Sequence, residues 1–233
     1  MRILGIIPAR GGSKGVPDKN IKILGDKPLI AYTIRQALES NLVSKIIVSS
    51  DNDAIIETAI AFGAEVPFVR PEHLATDAAS SIAVVQHAVA FLEAQGEFFD
   101  AVCLLQPTSP FREKGFIDKA IAAFTEKNTD ALISALPVPH ELNPHWVFEP
   151  DQCGFLTIST GEIEIITRRQ DLPPAFYRDG SIYITKIESI KKDSFYGDSL
   201  SYIESNPDLY VNIDTMADWF LAEQKLPNIL SQI

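Results

Sequence analysis

Apolar positions along the chain change rhythm in a regular way. Short, unbroken, branched runs stand at 2–8 (RILGIIP), 45–49 (KIIVS), 100–105 (DAVCLL) and 130–135 (DALISA). Continuous runs of this length fit strands buried on both faces. Between and after them lie stretches with helical spacing, at 28–40, 52–62, 78–95 and 113–126. Pro28 suits a first helical turn, and Asp51 with Gly63 brackets 52–62 as a start and a stop. Strand and helix in turn predict parallel βαβ units and a doubly wound, mostly parallel α/β sheet.

The rhythm breaks near Pro137, where PVPHELNPHWVFEPDQCG is rich in proline and aromatic residues and has no helical period. From 137 to about 174 the pattern predicts an irregular or antiparallel β-rich arm inserted into a single domain spanning 1–233. SIYITK at 181–186 then reads as a strand returning to the sheet, and 215–225 as a closing helix. An arm this apolar is expected to pack on a second subunit, making a homodimer.

Composition narrows the function. Hydrophobic residues make up 46% of the 233 positions, as in soluble globular proteins. No apolar run approaches the ~18 residues that span a bilayer. The run 3–8 is too short for a signal-peptide core. Cys103 and Cys153 form no disulfide framework and are expected to be reduced thiols in a cytoplasmic protein. A net charge of -11 argues against nucleic acid as a partner, but allows a local cationic pocket for a phosphorylated small molecule.

Such a pocket is foreshadowed at residues 8–20, PARGGSKGVPDKN. Here Arg10, Lys14 and Lys19 gather on a Gly-rich segment just after the first strand, beyond the strand ends where ligands of open α/β sheets sit. Gly11, Gly12 and Gly15 are expected to let the backbone curl and turn N–H groups toward phosphate oxygens. Neither GxxxxGK[ST] nor GxGxxG spacing is present. The competing reading is a solvated loop with turn glycines.

PARGGSKGVPDKN resembles the nucleotide-binding signature of the CMP-N-acylneuraminate synthetases (acylneuraminate cytidylyltransferases), which include CMP-legionaminate-type enzymes. The pattern A-R-x-x-S-K-G-x-x-x-K-N is met at every fixed position, and further blocks recur in order along nearly the whole chain. The resemblance implies a nucleotide-diphospho-sugar transferase-like fold, Mg²⁺ as cofactor, CTP and a nine-carbon sugar acid as substrates, and a place in cell-surface glycan biosynthesis. It assigns Arg10, Gly11, Ser13, Lys14 and Asn20 to the nucleotide, with Arg10, Lys14 and Lys19 as the catalytic cations.

The other blocks are assigned in the same way. In VPFVRPEHLATDAASSI, residues 66–82, the resemblance gives Arg70 and Ser81 to the nucleotide. Asp77 reads as a helix N-cap, and Ser81 also reads as a capping hydroxyl. In LLQPTSPFR, 104–112, it gives Gln106 to the sugar acid, while Thr108, Ser109 and Arg112 read as loop scaffold. In ITRRQDLPPAFYRDGSIYI, 166–184, it gives Arg169 and Tyr183 to the sugar acid, Arg169 reaching into a neighbouring subunit's site. Asp179-Gly180 stands where sialate enzymes often carry Asn-Gly, which favours a turn role for Asp179.

In VNIDTMADWFLAEQ, 211–224, it gives Asp214 and Asn212 to Mg²⁺. The family typically shows Asp-Ile-Asp there, so one expected carboxylate is an amide. Asp214 also reads as an N-cap, as does Asp51 at the end of KIIVSSD.

The implied reaction is attack of the anomeric 2-hydroxyl of a 2-keto-3-deoxy sugar acid on the α-phosphorus of CTP, with pyrophosphate leaving. Trp146 or a neighbour stands where sialate enzymes often place a lysine, which points to a relative of sialate such as legionaminate. The alternatives are a sugar-acid nucleotidyltransferase acting on a shorter acid such as Kdo, and a non-catalytic nucleotide-binding protein of the same fold.

Overall fold

The computed structural model describes residues 1–233. In chain order the elements are β1 (Ile3–Pro8), β2 (Ile23–Leu24), β3 (Lys27–Pro28), α1 (Leu29–Leu38), β4 (Lys45–Ser49), α2 (Asp53–Ala61), α3 (Ser81–Ala94), β5 (Ala101–Leu105) and α4 (Phe116–Lys127). There follow β6 (Ala131–Pro137), β7 (Phe148–Pro150), β8 (Leu156–Ile158), β9 (Phe176–Lys186), α5 (Ile187–Lys191), β10 (Leu200–Glu204) and α6 (Met216–Ile229). No helix is long and apolar enough to cross a membrane.

Six strands form one sheet in the order β10-β6-β9-β5-β1-β4. β1 runs parallel to β4 and β5, and β10 parallel to β6, while β9 is antiparallel to both its neighbours. The expected doubly wound, mostly parallel α/β sheet is therefore present, with one reversed strand in its middle. β1 separates β4 on one side from β5 on the other, so the crevice beyond the carboxyl ends of β1 and β5 is the switch point where such sheets bind ligands.

Alternation within the strands serves two cores. Ile3 and Ile7 of β1 join Cys103 and Leu105 of β5 against α1, α2 and α4. Leu4 and Ile6 join Val102 and Leu104 against α3 and α5. A third cluster seats Trp219, Ala222 and Leu226 of α6 on Val16, Leu24 and Leu29, pinning the C-terminal helix over the N-terminal loop.

The arm is less β-rich than its sequence predicts. Its only regular pairing is β7 with β8, three residues each; the rest is turns and short 3₁₀ segments. It is stitched internally, by Asn143 Nδ2 donating to the Pro173 carbonyl at 3.0 Å and Trp146 Nε1 donating to that of Ile166 at 2.5 Å. β9 starts at Phe176, before the 181–186 stretch expected of it, and β10 has no counterpart among the predicted strands.

Candidate active site

A cleft of about 280 Å³ opens at the switch point. One wall comes from the segment after β1, with Arg10, Ser13, Lys19 and Asn20. The opposite wall comes from Gln106, Pro107 and Thr108 after β5. Arg70, Thr76, Asp77 and, at the first residue of α3, Ser81 close the third side. Seven residues expected to bind ligand thus meet in one cavity: Arg10, Ser13, Lys19, Asn20, Arg70, Ser81 and Gln106.

Positive charge is concentrated there at an electrostatic cost. Arg70 is buried, with Nε donating to Ser49 Oγ at 3.0 Å and Nη2 to the Ser49 carbonyl. Burial lowers its guanidinium to about 10; Asp51 opposes that shift and Arg10 adds to it. An anion in the cleft would relieve the repulsion between these two guanidiniums.

Lys19 reaches across to the chain's last loop. Its Nζ donates to the Ile213 carbonyl at 2.7 Å and to Asp214 Oδ1 at 3.1 Å. Asn20 is buried and donates from Nδ2 to the Arg10 carbonyl at 3.0 Å, which holds the shape of the segment.

Several expected roles are corrected. The glycines do not curl the segment: the positive φ falls on Asp18, at 50°, and none of Gly11, Gly12 and Gly15 shares it. Gly15 is required by close approach instead, since a Cβ there would lie 1.9 Å from the Asp214 carbonyl oxygen. The Gly11 N–H points to Asp51 Oδ1 at 3.1 Å and not into the cleft. Asp51 is not a cap; Asn52 caps α2, and Asp51 buttresses the segment.

Asp77 is not a cap either. Ser80 caps α3, while Asp77 pairs with Arg10 at 2.6 Å and with Lys14. These cations hold Asp77 below the usual carboxylate range. Lys14 itself lies outside the cleft lining, with its side chain 82% exposed. At α6, Thr215 caps in a reciprocal box with Asp218, which leaves Asp214 free of a capping role.

Four further residues lie away from the lining. Tyr183 is buried in the core beside α3, its hydroxyl accepting from Arg178 Nη1 at 2.9 Å. Arg169 is exposed in a short 3₁₀ turn of the arm. Asp214 and Asn212 form a rim beyond Lys19, where Asn212 Nδ2 donates to Asp214 Oδ2 at 2.7 Å.

No cluster of three or more His, Cys, Asp or Glu side chains with metal-holding geometry is present. A lone exposed carboxylate beside a phosphate-sized cleft still meets the minimum for Mg²⁺, which completes its shell with water and phosphate oxygens.

Residues 4–191 match the model of the cytidylyltransferase family. The chain belongs to that family. Among its relatives, the CMP-N,N'-diacetyllegionaminic acid synthase of Legionella pneumophila is 38% identical over 228 residues, covering 96% of each chain. The pseudaminic acid cytidylyltransferase of Campylobacter jejuni is 36% identical over 219 residues, covering 94% of this chain and 93% of its own. A structure of CMP:2-keto-3-deoxy-manno-octonic acid synthetase complexed with CTP shares the fold, with a TM-score of 0.72 at 15% identity over 98% of this chain and 99% of that one.

Proposed function

We propose that this cytidylyltransferase moves CMP from CTP to the anomeric 2-hydroxyl of a nine-carbon 2-keto-3-deoxy sugar acid. The hydroxyl oxygen bonds to the α-phosphorus, the bond to pyrophosphate breaks, and the hydroxyl proton is released. The observation that carries this reading is the gathering of Arg10, Lys19 and Arg70 around one cleft in a chain of net charge -11. Reactions of this kind need in-line positioning and charge stabilisation more than covalent chemistry.

In this reading Arg10, Lys19 and Arg70 hold the triphosphate and stabilise departing pyrophosphate, with Lys14 joining when Asp77 lets go. Ser13, Asn20 and Ser81 complete the nucleotide's polar surroundings. Gln106, whose amide can donate and accept, meets the acid across the cleft, and Tyr183 with Arg178 and Arg169 serves the acid's far end. Asp214, with Asn212 beside it, would hold Mg²⁺, which would supply charge neutralisation for the phosphates.

Legionaminate-type acids are the preferred acceptors, supported by the relative that makes CMP-N,N'-diacetyllegionaminic acid and by Trp146 in the arm. A homodimer is supported by the arm's bare apolar surface: Phe155 and Leu156 are largely exposed and Ile163 wholly so. The test is pyrophosphate release from CTP and Mg²⁺ with N,N'-diacetyllegionaminate, pseudaminate, N-acetylneuraminate and Kdo, each assayed separately. Turnover with a nine-carbon acid is expected; turnover with Kdo alone, or CTP binding without turnover on any acid, overturns the reading.

A further inference from the structure

Asp179 is buried within β9, and its carboxylate does not meet the cleft. Oδ1 accepts from the Ser134 hydroxyl at 2.5 Å and from the Ser181 backbone N–H at 2.9 Å. Oδ2 accepts from the Ser205 hydroxyl. The bond to Ser181 closes a tight turn over Gly180, whose φ of 80° no side-chain-bearing residue adopts easily. Ser134 sits where the β6–β9 register shifts, so the same carboxylate anchors the turn to an irregular point of the ladder.

That turn supports Gln106. A Cβ added at Gly180 would stand 3.6 Å from Gln106 Oε1 and 3.5 Å from Ser109 Oγ, so the turn passes about one methyl group's width from the Gln106 amide. Ser109 donates back to the Asp179 carbonyl at 3.5 Å. Arg112, fully buried, ties the same two segments from the other side, with Nη2 donating to the Gln106 carbonyl at 3.0 Å and to the Ser181 carbonyl at 2.8 Å. Burial lowers the Arg112 guanidinium to about 10, and the charge of Asp179 is the largest influence opposing that shift.

We infer that Asp179, with Arg112, is a positioning residue for the acceptor: its Asx turn shapes the 179–181 segment beside the Gln106 side chain, and Arg112 ties that segment to the Gln106 backbone at the cleft wall. The inference rests on the proposed role of Gln106 toward the sugar acid. It predicts an effect on the acid and not on CTP, because the bonds of Asp179 run to Ser134, Ser181 and Ser205 and none reaches Arg10, Lys19 or Arg70.

The experiment compares Asp179→Ala, Asp179→Asn and Ser134→Ala in the full chain, with CTP and N,N'-diacetyllegionaminate. Asp179→Ala, which loses the Asx acceptor, is expected to raise the KM for the acid at least tenfold while the KM for CTP stays within twofold. Asp179→Asn keeps an acceptor for the Ser181 N–H and is expected to stay within about threefold of the parent for both. Ser134→Ala shifts the acid KM in the same direction by less, and decides the matter if Asp179→Ala does not fold.

A second readout needs no turnover. The Gln106 side-chain NH₂ resonances, assigned by their loss in Gln106→Ala, are expected to shift and broaden in Asp179→Ala. If both KM values rise together, if neither moves, or if the Gln106 resonances are unchanged, the positioning role is overturned. If the parent protein uses no acid yet the Gln106 resonances respond, the acceptor reading fails and the positioning stands.

Discussion

Arg10 and Asp77 face each other at 2.6 Å across the mouth of the cleft, and Lys14 reaches the same carboxylate. The free protein thus keeps its own anion on the cations that the proposed reaction assigns to a nucleotide's phosphates. Asp77→Asn is expected to lower the KM for CTP about two- to fivefold, the range of a partly exposed ion pair. The salt dependence of CTP binding should also steepen, since a freed cation then meets the phosphates. Titration calorimetry at two ionic strengths checks both; weaker binding in Asp77→Asn would show that Asp77 assists the nucleotide.

Lys19 joins the cleft to the last loop through Ile213 and Asp214. Lys19→Met should lower kcat/KM about 10²–10³-fold, as when a single transition-state donor is lost. The missing hydrogen bonds should cost only about 1–2 kcal/mol of stability. Steady-state kinetics beside a denaturant titration separates the two, and near-normal kinetics would remove Lys19 from the chemistry.

Gly15→Ala drives a methyl group into the Asp214 carbonyl, whereas a Cβ at Gly12 meets nothing within 4 Å. The first variant should lose about 1–3 kcal/mol and most CTP affinity, because the Asp214 loop must lift. The second should leave stability unchanged. Thermal melts of the pair decide whether Gly15 serves packing or backbone flexibility.

His87 on α3 packs edge-on to Phe68 with ring centroids 4.7 Å apart. Burial, then the charges of His73 and Arg70, hold its imidazole below the ordinary 6.5. The unfolded chain therefore binds this proton more readily than the folded one. Stability is full above pH 6.5 and declines as pH falls below it. His87→Phe should flatten that decline, measured as melting temperature between pH 7 and pH 5.

Cys103 is buried in β5, and burial pushes its thiol up to about 12, whereas Cys153 is exposed in the arm. A thiol reagent should find one fast site in the native protein and two after denaturation. Two fast sites in the native protein would mean that β5 opens readily.

The sheet was legible where strands are buried on both faces. KIIVS and the core of RILGIIP read directly as β4 and β1, because continuous, mostly branched apolar runs are what a strand between two helical layers needs. β10 escaped because LSYIE lies at the sheet edge, where exposed and buried positions alternate and no continuous run forms. The early part of β9 escaped because Arg178, Asp179 and Gly180 look like a turn, and Gly180 does have turn geometry inside a strand.

In the site, the placement of Arg10, Lys19 and Gln106 at the cleft was legible from their position after a strand, while Lys14 of the same segment lies outside the lining. The acidic residues were not: Asp51, Asp77 and Asp214 each precede a helix, and a sequence does not say whether such a carboxylate turns to its own helix or to a lysine far along the chain. Asn52, Ser80 and Thr215 take the caps, which leaves all three aspartates turned toward the cationic segment or the loop beside it.

The contact of Lys19 with Ile213 spans 194 residues of chain. Chains emerge from the ribosome N-terminus first, so the cationic segment after β1 is made early and Lys19 waits for its partners until the loop before α6 is complete. A chain ended before that loop carries every residue that lines the cleft but leaves Lys19 without the Ile213 carbonyl and Asp214. The anchoring of Lys19 at the cleft thus depends on the last part of the chain to be made, although the cleft itself is lined by residues made in the first half.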